Sequence, residues 1–396
     1  MRVGFLFNHD QIHQVAHSLP IAIALAEGGF DGEIVVATTN DRLAEEVRRL
    51  AGDLLGSRIR HVSLSLSPST ARAARWLGKL FPASKLLIYR DNLDFFRSLD
   101  MLIVAEKTSL LLKTRYGLND LFMVHTRHGA GDRAIGFDKA SAGFDHILCS
   151  GEKIRKRLIS EAGIDPDRIS IVGYPKFDTL EKTVRQYKVD PERSLTLYNP
   201  HPSPHLSSWY RHGRAVLDYF RQDESREVMF APHVMLFERS FVVTIDKLRI
   251  DRAGSIDQRF LRGDTIHIDL GSRASTDMSY TMAADIYLGD VSSQVYEFLL
   301  RPRPCIFLNS HAIGWEGDPN FSHWRAGEVV TSPDQLEGAL DRAEALHTSR
   351  YRAVQEQLFS ESFDLNDRPS SRRAAEVIAR LASGQTSGRS SARGGV

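Results

Sequence analysis

The sequence predicts an α/β protein of two Rossmann-like domains facing a central cleft, with a C-terminal helix crossing back to the first domain. Three observations carry that expectation. Short apolar, often β-branched runs alternate with longer segments of helical period, the pattern of parallel sheets built from βαβ units. Eleven such runs are too many for one comfortable sheet. A polar stretch, KTVRQYKVDPERS at 182–194, breaks the series near its middle.

In chain order the first set is VGFLF (3–7), EIVVAT (33–38), MLIVA (101–105), LFMVHT (121–126), HILCS (146–150) and ISIVGY (169–174). The second is LTLYNP (195–200), VMFAPH (228–233), IHIDL (266–270), IYLGD (286–290) and CIFLN (305–309). The expected division is a first domain over 1–184, a linker at 185–194 and a second domain over 195–360. A helical period through 336–359 is followed by RRAAEVIARLA, so 361–383 is read as the helix that returns to the first domain. The tail 384–396 is low in apolar residues and is expected to be disordered. Strand C-terminal ends of two facing sheets would surround a shared cleft, the usual ligand position in open α/β sheets.

Composition narrows the function. Of 396 residues, 42% are hydrophobic and 26% charged, an ordinary globular balance. Lys and Arg total 51 against 50 Asp and Glu, so a formal charge of +1 gives no reason to expect nucleic acid, and any anion site must be local. Cys149 and Cys305 sit in strand-like runs, where a thiol behaves as a small buried hydrophobe in a reduced compartment. The opening MRVGFLFNHD has too short an apolar run for a signal peptide, and no stretch approaches the roughly 20 apolar residues of a membrane-spanning helix. A cytoplasmic protein, or one peripheral on the inner membrane face, is expected.

Four stretches carry candidate chemistry. In ADIYLGDVSSQVYEFLL a strand ends at Gly289-Asp290 and a helix begins near Ser292. Serine is a preferred N-cap, and first-turn N–H groups form an anion site. Two serines leave one hydroxyl, on Ser292 or Ser293, for a ligand. Glu297 follows Ser293 by four residues, on one helical face, where a carboxylate can accept from ribose hydroxyls. The alternative is that Ser292 only caps, with Asp290 and Glu297 solvated or bonded locally.

The second stretch, VHTRHGAGDRAIGFDKA, places Arg127, His128, Gly129, Asp132 and Arg133 in a loop after a strand. A histidine there can exchange protons near neutral pH, or merely stabilise the loop. In the third, ISIVGYPKFDTL, Gly173, Tyr174 and Pro175 end a strand and read most simply as a turn. The fourth, VMFAPHVMLFER, puts His233 where His128 stands in the first domain. His201, His205 and His212 punctuate YNPHPSPHLSSWYRH, but prolines interrupt the spacing, so no metal is expected. His201 or His205 is read as a polar contact in the cleft.

Together these stretches resemble the CDP-glycerol glycerophosphotransferase family, which makes or primes teichoic-acid-like poly(glycerol phosphate) chains on a scaffold of the glycosyltransferase B type. The resemblance rests on His128-Gly129 through Gly136-Phe137-Asp138, on Gly173-Tyr174-Pro175, and on Asp290, Ser292, Ser293 and Glu297. It covers much of 121–310. It implies that His128 is the general base toward an acceptor hydroxyl, that Ser292 and Ser293 hold donor phosphates, and that His233 lies near them. Arg127 and Arg133 are candidate charge partners of the diphosphate. Gly173, Tyr174, Asp290 and Glu297 are candidate nucleotide or ribose contacts.

The implied reaction moves a polyol phosphate from a nucleotide-activated, CDP-linked donor to a hydroxyl of a glycan or lipid-linked acceptor, in cell-surface polymer synthesis and without a further cofactor. Two alternatives stay open: a nucleotide-sugar glycosyltransferase or UDP-sugar epimerase on the same fold, and a non-catalytic nucleotide-binding module. The segment 69–90 interleaves Arg72, Arg75, Lys79 and Lys85 with Trp76, Leu77, Leu80 and Phe81. That pattern suits contact with an anionic membrane surface, or packing on the first domain.

Overall fold

The computed structural model describes residues 1–8, 12–70, 83–127, 131–184, 187, 190–238, 242–244 and 249–393. The chain divides into two units. The first comprises Met1–His128, Phe137–Thr179 and Ser362–Val396, and the second comprises Gly129–Gly136 and Leu180–Glu361. The chain thus enters the second unit briefly at 129–136, inside the range read from sequence as first domain, and returns to it at Leu180, ahead of the predicted linker.

The first unit is built on a parallel sheet of β1 (Arg2–Phe7), β2 (Glu33–Thr38), β3 (Ile59–Ser63), β4 (Met101–Val104), β5 (Phe122–Thr126), β6 (His146–Cys149) and β7 (Ile169–Ile171). Their order is β3-β2-β1-β4-β5-β6-β7. The strands are apolar on both faces because both are covered: Val3, Phe5 and Phe7 of β1 enter one core layer and Leu6 the other. Helix α1 (Val15–Glu27) and the C-terminal helix fill the first layer, the latter with Ala374, Ala375, Ile378 and Ala382. The other layer takes Cys149 from β6; both Cys149 and Cys305 are free and buried, and burial pushes the Cys149 thiol up to about 12.

The C-terminal helix does return to the first unit, and its attachment is specific. Gly173 adopts φ +82°, a backbone state that favours glycine, and its neighbour Tyr174 donates its N–H to Ser370 Oγ at 2.9 Å. The Asp178 carboxylate accepts from the N–H groups of Ser370 (3.2 Å) and Ser371 (2.6 Å), satisfying two first-turn donors of the incoming helix. The helix runs from Ser370 to Arg393 and does not stop at 383 as the sequence suggested. No proline interrupts 370–393, and the i→i−4 ladder is local enough to continue through polar residues.

The second unit carries a parallel sheet of β8 (Ser194–Asn199), β9 (Arg226–Phe230), β12 (Ile266–Ile268), β13 (Ile286–Gly289), β14 (Cys305–Leu308) and β15 (Glu328–Val330), with a separate antiparallel pair, β10 (Val242–Thr244) and β11 (Arg249–Asp251). The six-stranded order is β12-β9-β8-β13-β14-β15. From β8 the chain therefore builds outward through β9 and β12, then restarts on the other side at β13. The crevice at the C-terminal ends of β8 and β13 is the topological switch point, where ligands of open α/β sheets bind. Among the described residues no helix is long and apolar enough to cross a membrane. Of the predicted membrane-contact stretch, Arg72, Arg75, Trp76, Leu77, Lys79, Leu80 and Phe81 lie outside the described residues, while Tyr89 is buried in the first unit.

Candidate functional site at the switch point of the second unit

Three segments converge where β8 and β13 end. The loop after β8 brings His201 and leads to helix α2 (Trp209–Gln222); the turn after β13 brings Asp290; and residues 131–133 arrive from the short excursion at 129–136. Asp290 ties the first two together. Its Oδ1 accepts from the N–H of His201 (2.9 Å) and of Val291 (2.6 Å), and its Oδ2 accepts from the N–H (2.7 Å) and hydroxyl (2.8 Å) of Ser208. The carboxyl is 1% exposed, and burial raises its pKa even against these four donors.

Asp132 ties in the third segment. Its Oδ2 accepts from Tyr296 OH at 2.6 Å, from the N–H of His323 at 3.0 Å, and faces His323 Nδ1 at 3.0 Å. The other ring nitrogen of His323 lies 3.1 Å from the carbonyl oxygen of Asp290, which also accepts from Trp324 Nε1–H at 2.6 Å. Each nitrogen of His323 thus meets an acceptor, and only a ring protonated at both donates to both. Asp132, His323 and Tyr296 are all buried. Gly131 permits a close approach: a Cβ there would stand 3.1 Å from Ser293 Cβ, so one of the two segments would have to give way by a few tenths of an ångström.

Held this way, Arg133 directs Nη1 to His201 Nε2 at 3.1 Å, while His201 Nδ1 lies 3.1 Å from the N–H of Ser203. Both nitrogens of His201 meet donors, and a neutral imidazole has one lone-pair nitrogen, so only one of the two contacts is a hydrogen bond at a time. Burial first, then Arg133, His233, His205 and His323, hold the ring well below its usual pKa. The His233 ring lies 6.1 Å from that of His201, and burial pushes it down to about 4, so it is neutral at pH 7. Its Nδ1 accepts from the N–H of Met235 at 3.3 Å, which leaves the proton on Nε2, available to donate.

The site therefore gathers Arg133, His205, His233 and His323 around His201, with the Arg133 guanidinium and the His233 Nε2–H as its donors. Arrangements of this kind neutralise and orient phosphoryl oxygens. Among the described residues no group of three or more His, Cys, Asp or Glu is arranged to hold a metal.

The placement of the sequence candidates is uneven. Asp132, Arg133, His201, His205, His233, Asp290, Ser292, Ser293 and Glu297 all belong to the second unit. His128 and Gly129 lie outside the described residues. Arg127 belongs to the first unit, where its guanidinium stacks 4.4 Å over the Phe137 ring; burial lowers it to about 10, with Arg157 adding to the effect and Cys149 and Asp138 opposing it.

The helix expected to open at Ser292 is a single short turn, α3 (Gln294–Phe298), and Ser293 precedes it without a side-chain cap. Five residues align too few peptide dipoles for the anticipated grip on a diphosphate. Ser292 is buried, its Oγ accepting weakly from Gln294 N–H at 3.4 Å and lying by the buried Tyr287 phenol, so it serves the fold. Ser293 is the exposed hydroxyl. Asp290 and Glu297 are both buried, Asp290 being a tie between loops. Gly173 and Tyr174, read as nucleotide contacts, instead anchor the C-terminal helix: the Tyr174 ring packs 4.7 Å from Phe177 and 4.9 Å from Phe363. Sequence reasoning missed Ser208, Tyr296, His323 and Trp324; the available signals were the Ser207-Ser208 pair before α2 and the polar-aromatic pair His323-Trp324 just ahead of β15.

The fold and the switch-point site define the class: two parallel-sheet units of the glycosyltransferase B type. Comparison with solved structures bears this out. The wall teichoic acid polymerase TagF matches with a TM-score of 0.60 at 11% identity, over 98% of this chain and 90% of that one. A putative UDP-N-acetylglucosamine 2-epimerase from Listeria monocytogenes matches with a TM-score of 0.57 at 14% identity, over 96% and 94%. The UDP-GlcNAc 2-epimerase of Neisseria meningitidis, bound to UDP-GlcNAc, matches with a TM-score of 0.59 at 11% identity, over 96% and 99%. No family model and no curated protein sequence matches the chain.

Proposed function

We propose that this protein is a transferase that moves a polyol phosphate from a CDP-activated donor to a hydroxyl of a glycan or lipid-linked acceptor in cell-surface polymer synthesis. The observation that carries the reading is the gathering of Arg133, His201, His205 and His233 at the β8/β13 switch point, with Asp290 and Asp132 fixing the segments that bear them. In the reaction the acceptor oxygen bonds to the distal phosphorus of the donor, the bridging P–O bond breaks, and CMP departs with the bonding electron pair. The acceptor proton goes to a base, which the resemblance assigns to His128. Arg133 neutralises charge on the departing phosphate. His233, neutral and protonated at Nε2, is suited to donate a hydrogen bond to the phosphate and not to supply a proton. Ser293 provides a further hydroxyl. Positioning and charge neutralisation are the main requirements of phosphoryl transfer, and this cluster supplies both.

A second reading, a nucleotide-sugar 2-epimerase, is supported by matches over 94% and 99% of the lengths of two such structures. Two measurements separate the readings. In a thermal-shift screen, CDP and CDP-glycerol should raise the melting temperature and UDP should not, because stabilisation follows affinity for the folded state. Release of CMP from CDP-glycerol with a glycerol-phosphate or glycan acceptor should fall by about 10²-fold or more in His128→Ala. Response to UDP-GlcNAc alone, with inversion at C2 and no transfer from CDP-glycerol, would establish the second reading and sink the first.

A further inference from the structure

A cavity of about 740 Å³ opens in the second unit beside β15, the last strand of its sheet, with Gly327, Glu328 and Val329 along one wall. That volume falls within the roughly 300–1,000 Å³ of small-molecule sites. Two irregularities of the backbone meet in its lining. Arg350 and Tyr351 come from His347–Tyr351, a π-helical turn set between α-helical segments, a rare feature that often marks functional positions. Ala312 sits at φ +49°, unfavourable for a residue with a Cβ. The Asn309 side chain braces that turn, its Nδ2–H donating to Ile313 O and its Oδ1 accepting from Ile313 N–H, both at 2.9 Å.

The lining chemistry is equally specific. Trp315, partly exposed, stands edge-on against buried Trp324 with ring centroids 5.9 Å apart, while the Arg350 guanidinium lies over the Tyr351 ring, 5.2 Å from its centroid. Arg325 and Arg350 are exposed in the wall, and among the described residues neither is held in an ion pair; the Glu328 carboxylate is already taken by Arg342. Aromatic faces accept the electropositive C–H face of a sugar ring, and a guanidinium without a counter-ion selects phosphate or carboxylate. Trp324 also donates to the Asp290 carbonyl, so the cavity and the switch-point turn share one buried side chain.

We propose that this cavity binds a glycosyl unit bearing an anionic group, with Trp315 as the stacking surface and Arg350 with Arg325 as the anion contacts. The site rests on its own geometry and does not depend on the donor assigned above. The test is titration of the full chain, by calorimetry and tryptophan fluorescence, with glucose 1-phosphate, glucuronic acid, glucose and inorganic phosphate. At least one of the two charged sugars should bind saturably, with glucose and phosphate each at least about tenfold weaker; the pair distinguishes a phosphate from a carboxylate preference. Trp315→Ala and Arg350→Ala should each weaken that binding by about tenfold or more, while both variants melt like the parent and keep its nucleotide-induced shift. Absence of saturable binding by either charged sugar at millimolar concentration overturns the proposal. So does binding that survives both substitutions, or binding in which free phosphate matches the sugar phosphate.

Discussion

Replacing Asp290 with alanine tests the view that one buried carboxylate holds the switch point together. The change strips the acceptor from three backbone N–H groups, those of His201, Ser208 and Val291, and from the Ser208 hydroxyl, all in buried surroundings. Each buried donor left without a partner costs about 1–3 kcal/mol. Part of that is returned, because the carboxylate itself is unfavourably buried, as its raised pKa records. A net loss of about 3–5 kcal/mol is expected, or roughly 6–20 °C in the melting temperature of a unit of this size. Asp290→Asn should lose about half as much: the amide oxygen still serves one side, while its NH₂ meets the Ser208 N–H, and the Ser208 hydroxyl can turn to accept. Urea denaturation followed by circular dichroism measures both, and donor nucleotide should bind more weakly in each variant. A loss below about 1 kcal/mol in Asp290→Ala would show that the two loops hold their places without this carboxylate.

Three other outcomes follow from the same geometry. Gly173→Ala forces a left-handed backbone on alanine and drives its Cβ into Ser370 Oγ and to 2.7 Å from Asp364 O. The first unit should lose about 2–4 kcal/mol, with early protease cleavage near 364–370; an unchanged cleavage pattern would refute the anchoring role. Gly131→Ala must push the 131–133 loop off Ser293 by a few tenths of an ångström. Nucleotide affinity should fall several-fold with little change in melting temperature, and unchanged affinity would remove Arg133 from the phosphate site. The third outcome concerns pH. His233, with its pKa depressed to about 4, is neutral in both states above about pH 6.5; below that the unfolded chain takes up a proton that the folded ring refuses. Stability should drop between about pH 6.5 and 4, by up to about 3 kcal/mol from this ring, and His146 adds to the drop in the same direction. Urea midpoints at several pH values should show a shallower slope in His233→Gln; an identical slope would place the ring in water.

Much of the architecture was legible in the chain because it rests on local signals. Continuous apolar runs such as VGFLF and CIFLN announce strands covered on both faces, and all eleven predicted runs are strands. β3, with IRHVS, β15, with EVV, and the short pair β10 and β11 were not found; they are too polar or too short to stand out from loop. Sequence also located the turn after β13 and the loop after β5 as places of interest, since polar residues crowd together there at strand ends.

What the chain determined by itself is the alternation of buried strand and helix, hence two parallel sheets, and the positions where polar side chains break that alternation. Tertiary structure alone decided what those side chains do. Asp290 meets Ser208 across 82 residues of sequence and Asp132 meets His323 across 191, and no local propensity encodes such a meeting. The two serines illustrate the division: sequence marked both, but only packing could bury Ser292 beside Tyr287 and leave Ser293 in water. Burial and long-range hydrogen bonding depend on which segments the folded chain brings together, and that information is spread over the whole sequence.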